Sequence, residues 1–441
     1  MIGRLLYLMI ICVLLFTVDG LGQNTWVKTY GGKSGRHEGY SIKKDIEGNI
    51  LTLGVTSQTE GDFEGLHKGK EDILLIKLDS LGNEKWKVLI GGSNNERGTS
   101  ICPTKDSGYV ITGFTFSTDG DFADKVNTSR DLFVIKCDKN GKIEWKNIIG
   151  GLGDDSGISI YTNTNEDIIL LGTTNSTNID FNELTFGNKY SSFLIKFNSK
   201  GIIIWKQMFL DMSYPGMIKY NSTLTILNDL SIVVTGTTQS KTFPNGDIIV
   251  MRLDNDGVIL WKNTFEGDNE DNGISITSNT SNEIYVTGST VSTNNFFQGL
   301  NYKHKKFSSW GFTYDTDIFL IKLNKNGEIL WKYIYGGSMD DDCYGIVCSY
   351  DNNLFLTGTT SSNNGIFKNL NNGSLDLFLL KIDSKGKIQS KKTIGGEGVD
   401  YSNSIDIING NSIILTGYTN SIISVLGIKK GLFVLKTYFD K

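Results

Sequence analysis

A carboxylate recurs at one position along this chain of 441 residues. It stands four residues after a recurring Gly-Gly position, at Glu96, Asp155, Asp271, Asp341 and Asp400. Where further acids adjoin this position, the candidate metal ligands are Asp154, Asp155, Asp271, Asp340, Asp341 and Asp342. Calcium prefers several oxygen ligands, so acids that lie close together in the folded protein would form a calcium site. The alternative is that each carboxylate accepts backbone hydrogen bonds within its own loop, and the regular recurrence favours that alternative.

A second chemical signal is an insertion rich in aromatic residues. Thr290 and Asp317 are 27 positions apart, whereas Thr56 and Asp72, at the matching places of another repeat, are 16 apart. The candidate ligand-binding residues in this insertion are Phe296, Phe297, Tyr302, His304, Trp310 and Tyr314. Rings interleaved with lysines suit stacking on sugars or docking of an anionic polymer or protein. The alternative is that the rings fold back and cover the adjacent surface.

Familiar catalytic motifs are missing from the sequence. The only histidines are His37, His67 and His304, and none belongs to a zinc-binding helix motif. The sequence contains neither a nucleophile elbow nor a phosphate-binding glycine loop, so we predict no catalytic residue. Acids on separate loops could still form the carboxylate pair of a glycan hydrolase or lyase. A carbohydrate-active enzyme therefore stays an alternative.

The elements that carry these residues form a sevenfold repeat. A tryptophan begins six of the copies and a serine begins the seventh, at spacings of 56 to 70 residues: Trp26, Trp86, Trp145, Trp205, Trp261, Trp331 and Ser390. Each unit contains four short β-rich runs, which is typical of one propeller blade. We therefore predict an all-β, seven-bladed β-propeller with four-stranded antiparallel blades.

The two ends of the chain complement each other. Residues 25–30 form a tryptophan strand, and residues 432–436 form the strand that normally precedes one. The N-terminal strand is therefore predicted to complete the last blade. This pairing would close the ring and remove its exposed edges.

Three strings carry a family resemblance: WKYIYGG at 331–337, IYVTGST at 284–290 and DIFLIKL at 317–323. They resemble the SBBP-type bacterial β-propeller repeat, which occurs in exported proteins, and the match covers residues 24–441. The resemblance implies that the Ser-Ile strand is innermost and the tryptophan strand outermost. It implies a fold and a compartment more than an activity. The turn before each tryptophan is also similar to quinoprotein propellers and their outer-membrane assembly relatives, which generally have eight blades.

Charge and composition narrow the choice of partners and compartment. The net charge of −5 gives no electrostatic reason to expect a nucleic-acid partner. Residues 1–22 place Arg4 before a short apolar run and read as a signal peptide, which leaves 23–441 as a single propeller domain. No later segment is long enough to span a membrane. We therefore expect a monomer that is secreted, periplasmic or on the cell surface.

These observations favour a non-enzymatic binding or scaffold protein. One rim of the propeller would recognise a glycan or a protein of the cell envelope or exterior. Calcium is the one cofactor with any support in the sequence.

Overall fold

Seven antiparallel sheets follow one another around a ring in the computed structural model of the protein. The structure describes residues 25–32, 35–57, 61–181, 190–209, 212–213, 223–238, 246–293, 295–298, 305–308, 311–421 and 430–439. The first strands of successive blades contact one another and surround a central channel. The predicted seven-bladed β-propeller is therefore confirmed. The strands are given below from the channel outward.

The first three blades share one plan. Blade 1 contains His37–Lys44, Ile50–Thr56, Asp72–Leu78 and Glu84–Ile90. Blade 2 contains Glu96–Pro103, Tyr109–Thr115, Asp131–Cys137 and Ile143–Ile149. Blade 3 contains Asp155–Thr162, Ile168–Thr174, Ser191–Phe197 and Ile203–Phe209.

Blades 4 to 6 vary this plan. Blade 4 has two short inner pieces, Met212–Ser213 and Leu224–Ile226, followed by Ile232–Thr238, Ile248–Leu253 and Ile259–Phe265. Blade 5 contains Asp271–Ser278, Ile284–Thr290, Asp317–Leu323 and Ile329–Tyr335, and its insertion includes the paired strands Lys305–Ser308 and Gly311–Tyr314. Blade 6 contains Asp341–Cys348, Leu354–Thr360, Asp376–Ile382 and Ile388–Ile394.

Blade 7 joins the two ends of the chain. It contains Asp400–Asn409, Ser412–Thr419 and Gly431–Tyr438, and its outermost strand is the N-terminal Trp26–Tyr30. Trp26 lies opposite Lys436, and Tyr30 lies opposite Leu432. The predicted closure by the N-terminal strand is confirmed.

The second and third strands of the blades are buried because each sheet is covered on both faces by its neighbours. A short 3-10 helix in the loop between these strands adds a phenylalanine to the core in five blades. These helices are Gly61–Phe63, Gly120–Phe122, Ile179–Phe181, Asn295–Phe297 and Gly365–Phe367. The last ring of each helix is almost fully buried. Because the same ring recurs at successive blades, it belongs to the architecture.

Tryptophans link successive blades at the outer edge. The indole N–H of Trp86 donates a 3.2 Å hydrogen bond to the carbonyl of Lys139, in a turn of the next blade. Trp205 and Trp331 make the same contact with Asn255 and Ser384. The recurring tryptophan therefore has a structural role, with a direct hydrogen-bonding basis.

Candidate functional site

The recurring carboxylates lie at the start of the inner strands and are fully buried. Asp341 accepts hydrogen bonds from the backbone N–H of Gly337 at 2.7 Å and from the hydroxyl of Ser362 at 2.9 Å. Asp155 repeats this pattern with Gly151 and Ser176. Each carboxylate thus fastens the loops of its own blade, which is the local alternative to a shared metal site.

Burial changes the acidity of these groups. Loss of hydration raises the pKa of Asp155 to about 6, and raises the pKa of Asp271 and of Asp341 to about 7. Hydroxyl donors from the same blade oppose this increase in the pKa and do not cancel it. Because the shift recurs with the repeat, it is a property of the architecture and gives no support for catalysis.

The other three candidate metal ligands differ in their surroundings. The carboxylate of Asp154 lies 3.3 Å from the guanidinium of Arg130, and Asp340 accepts a hydrogen bond from the backbone N–H of Thr316. Burial raises the pKa of Asp342. Within the described ranges, no group of three or more His, Cys, Asp or Glu side chains is arranged to hold a metal. Calcium binding stays a prediction.

The insertion of blade 5 divides into two parts. Phe297 is the last residue of a 3-10 helix and is buried at the position that Phe63 and Phe122 occupy in other blades. Phe296 packs on Phe265 with ring centroids 4.8 Å apart, and the ammonium of Lys332 lies 3.9 Å from its centroid. These two rings therefore pack within the fold, as the alternative of covering rings expects. The sequence pattern missed that Phe297 belongs to the repeat.

The remaining four candidate residues of this insertion are less informative. Tyr302, His304 and Trp310 lie outside the described residues. Tyr314 ends a strand and lies opposite Lys305 in the register. Ligand binding by these four residues stays a prediction.

One register position of the inner strands carries six different residue types across the seven blades. This position is paired to the residue that stands three before the glycine of the neighbouring strand, and its occupants are Lys43, Cys102, Tyr161, Thr225, Thr277, Val347 and Asp406. We call these seven residues the variable ring. The backbone pairing at this position repeats around the channel whereas the type of side chain does not. The repeat itself therefore does not explain these side chains.

Six members of the variable ring, all except Cys102, line a cavity in the central channel. The cavity has a volume of about 760 Å³, which falls in the range of small-molecule sites. It opens at the end of the channel where the inner strands turn back, opposite to the end where the recurring carboxylates lie. We call it the channel cavity.

The charges and rings of the channel cavity have a clear arrangement. Its charged lining residues are two lysines, Lys43 and Lys44, and two aspartates, Asp351 and Asp406, so the formal charges cancel. Tyr161 on blade 3 and Tyr350 on blade 6 lie on opposite sides of the ring and are 37% and 95% exposed. Surrounding protein raises the pKa of Tyr161 to about 12, so its ring is neutral at physiological pH.

A cluster of arginines lies at the opposite end of the channel. Arg97 lies over the rings of Tyr40 and Phe114, at 5.5 Å from each centroid. Arg130 lies 5.3 Å from Phe114, and Arg36 lies 6.0 Å from Tyr40. We call these five residues the arginine ladder. The sequence did carry a signal for it, because the chain has only five arginines and three of them are here: Arg4, Arg36, Arg97, Arg130 and Arg252.

Comparison with known proteins supports the fold. No family model matches the chain. An uncharacterized WD repeat-containing protein of Acanthamoeba polyphaga mimivirus is 21% identical over 411 residues, which cover 81% of this chain and 27% of that protein. The regulatory protein FlaEY of Caulobacter vibrioides is 26% identical over 139 residues, or 28% of this chain and 14% of that protein. The chain thus spans about a quarter or less of the length of these relatives.

Solved structures give the same picture. A catalytically inactive virginiamycin B lyase from Staphylococcus aureus, with quinupristin, is 11% identical, with a TM-score of 0.52 over 94% of this chain and all of that one. The β-propeller domain of the Trilobed protease from Pyrococcus furiosus is 10% identical, with a TM-score of 0.46 over 93% of this chain and 96% of that domain. At this identity the likeness concerns the fold alone. Membership of the SBBP family stays a prediction.

Proposed function

We propose that this protein is a non-enzymatic binding propeller that takes the end of a neutral glycan into the channel cavity. The observation that carries the proposal is the combination of balanced charge and two accessible tyrosine rings in one cavity. The negative face of an aromatic ring attracts the C–H groups of a sugar. A site without net charge gives no advantage to an anionic ligand over a neutral one.

The remaining lining residues support the same ligand class. Thr225 and Ser278 provide hydroxyls, with their oxygens 3.2 Å apart. Ile276, Ile346 and Val347 provide apolar surface. Small-molecule sites commonly combine a mainly apolar lining with a few polar groups that fix orientation.

The direct test is a glycan array probed with labelled protein. Under the proposal, neutral oligosaccharides are captured and Tyr350→Ala removes the signal. Because Tyr350 is 95% exposed, this substitution should leave the melting temperature unchanged. Tyr333→Ala is the matched control, since Tyr333 is an exposed tyrosine on the outer strand of blade 5. An array without neutral hits, or equal loss of signal in both variants, would refute the proposal.

Recovery of the captured glycan separates binding from catalysis. A binding protein returns the oligosaccharide at its original length after long incubation, whereas a hydrolase or lyase returns shorter products. The recurring carboxylates support the first outcome because each one accepts hydrogen bonds from its own loops.

We also propose that the protein acts outside the cytoplasm. The basis is the apolar N-terminal segment together with the resemblance of the propeller repeats to those of exported proteins. Residues 1–22 lie outside the described residues. In the part of the chain that the structure describes, no helix is long and apolar enough to cross a membrane. Sequencing of the mature protein should find a new N-terminus near Gln23, and an uncleaved cytoplasmic protein would contradict export.

A further inference from the structure

The arginine ladder alternates cations and aromatic rings across two blades. Its order is Arg36, Tyr40, Arg97, Phe114 and Arg130. A planar guanidinium stacks on a ring face while its N–H groups stay in the plane to bind anions, which lysine cannot do. Most cationic residues of this chain are lysines, and this property of the guanidinium accounts for arginine at these three positions.

Each arginine of the ladder has a carboxylate partner, and the partners differ in accessibility. Glu38 lies 2.8 Å from Arg36 and is 3% exposed. Glu71 lies 3.2 Å from Arg97 and is 20% exposed. Asp154 lies 3.3 Å from Arg130 and is 42% exposed. The last pair is therefore the one that solvent and ligands reach most easily.

The contact of Arg130 with Asp154 uses only part of the hydrogen-bonding capacity of the guanidinium. Nη2 of Arg130 lies 3.3 Å from one carboxylate oxygen of Asp154, whereas arginine and carboxylate often form two parallel hydrogen bonds. Nε of Arg130 is buried and has no hydrogen-bond acceptor among the described residues. Tyr190 completes the site, because its hydroxyl donates to Asp154 at 3.0 Å and accepts from Arg130 at 3.3 Å. An accessible single ion pair of this kind stabilises a protein by about 1 kcal/mol or less.

We propose that Arg130 and Tyr190 form a binding site for the carboxylate of a uronic acid sugar, and that the side chain of Asp154 occupies this site in the free protein. The ligand carboxylate displaces Asp154 and makes the same contacts with Arg130 and Tyr190. The loss of a weak, accessible ion pair makes this exchange inexpensive in free energy. Asp154, one of the predicted metal ligands, is thus an internal competitor of the ligand.

A sugar acid fits this surface better than an acidic peptide. Phe114 lies 5.3 Å from the guanidinium of Arg130, and the half-buried Phe116 packs edge-on against Phe114 at 5.9 Å between centroids, so the surface near Arg130 contains aromatic rings. A uronic acid carries its carboxylate on a rigid ring with an apolar face. A glutamate side chain has no such face.

Titration calorimetry with trigalacturonate tests the proposal on the full-length mature chain. We expect Asp154→Asn to tighten binding at least threefold, because the competitor for Arg130 is gone. We expect Arg130→Gln to weaken binding at least tenfold, and Arg130→Lys to weaken it less. Asp229→Asn is the matched control: it removes the same charge from a carboxylate that also pairs with an arginine and is 49% exposed.

Each outcome has a defined meaning. Weaker binding in Asp154→Asn, or no binding of trigalacturonate to wild type and Asp154→Asn, overturns the proposal. Equal tightening in Asp229→Asn shows a general charge effect and also overturns it. Stronger binding of triglutamate than of trigalacturonate overturns the assignment to a sugar. If Arg130→Gln lowers the melting temperature, its loss of binding can result from unfolding, and the Asp154→Asn result then tests the proposal. The site is independent of the channel cavity, so Tyr350→Ala should leave trigalacturonate binding unchanged.

Discussion

The indole N–H of Trp261 donates a 2.9 Å hydrogen bond to the backbone carbonyl of Lys325. The acceptor lies in the turn between the third and fourth strands of the next blade, so one hydrogen bond crosses the interface between blades 4 and 5. The glycine two residues further along this turn, Gly327, has a φ of 84° and lies against the Trp261 ring. A left-handed backbone and a close ring both require glycine there.

Trp261→Phe should lower the free energy of unfolding by about 1 kcal/mol beyond the effect of the smaller ring, because one hydrogen bond is lost. Trp26 gives a matched control. Its indole N–H is buried and has no acceptor among the described residues, so Trp26→Phe removes an unsatisfied donor. Urea denaturation should show Trp26→Phe to be the milder change. Equal losses of stability would show that ring packing alone matters.

Removal of the N-terminal strand should open the propeller. A variant that begins at residue 33 lacks Trp26–Tyr30 and exposes the edge of Gly431–Tyr438. Exposed edges favour association with other chains. We expect a lower melting temperature and self-association in light scattering, compared with a variant that begins at residue 25. An equally stable monomer would contradict closure by the two ends.

Lys77 and Asp45 form a buried ion pair with 2.9 Å between Nζ and Oδ2. Their side chains are 3% and 0% exposed. Lys77→Met should cost about 3 to 5 kcal/mol in denaturant unfolding, because Asp45 loses its buried partner. Lys146→Met is the control and should cost about 1 kcal/mol or less, since its partner Asp124 is 73% exposed. Similar costs for the two variants would show that burial does not determine how much stability is lost when an ion pair is broken.

Stability should rise when the pH falls from 7.5 to 5. The pKa values of Asp271 and Asp341 are raised to about 7 in the folded protein, so the folded state binds more protons than the unfolded state in this range. The gain is on the order of 2 to 3 kcal/mol for each group. Below about pH 4 stability should fall again, because hydrogen bonds and Lys77 lower the pKa of Asp45.

Asp341→Asn checks this account of the pH dependence. The amide oxygen can still accept from Gly337, whereas the titrating group is gone. The increase in unfolding free energy between pH 7.5 and 5 should become smaller than in wild type. Asp124→Asn, at an exposed site, should leave the increase unchanged. An identical pH profile in Asp341→Asn and wild type would contradict the role of the buried carboxylates.

The sequence predicted the features that recur, and the structure confirms seven blades and the pairing of Trp26 with Lys436. It did not separate Phe297 from the insertion, because the 3-10 helix that repeats this ring has no regular hydrophobic period. The variable ring also could not be predicted from the sequence. A register shift between Gly39 and Ser41, repeated in other inner strands, changes which side chains follow along the strand. Tyr161 and Asp406 could be matched only after the strands were paired.

Binding of a neutral oligosaccharide to the channel cavity tests the central claim most directly. The measurement is calorimetric titration of the best neutral ligand from the array into wild type, Tyr350→Ala and Tyr333→Ala. Binding by wild type and Tyr333→Ala, with at least a tenfold loss in Tyr350→Ala at an unchanged melting temperature, is the predicted result. Equal affinity in Tyr350→Ala and wild type would contradict it.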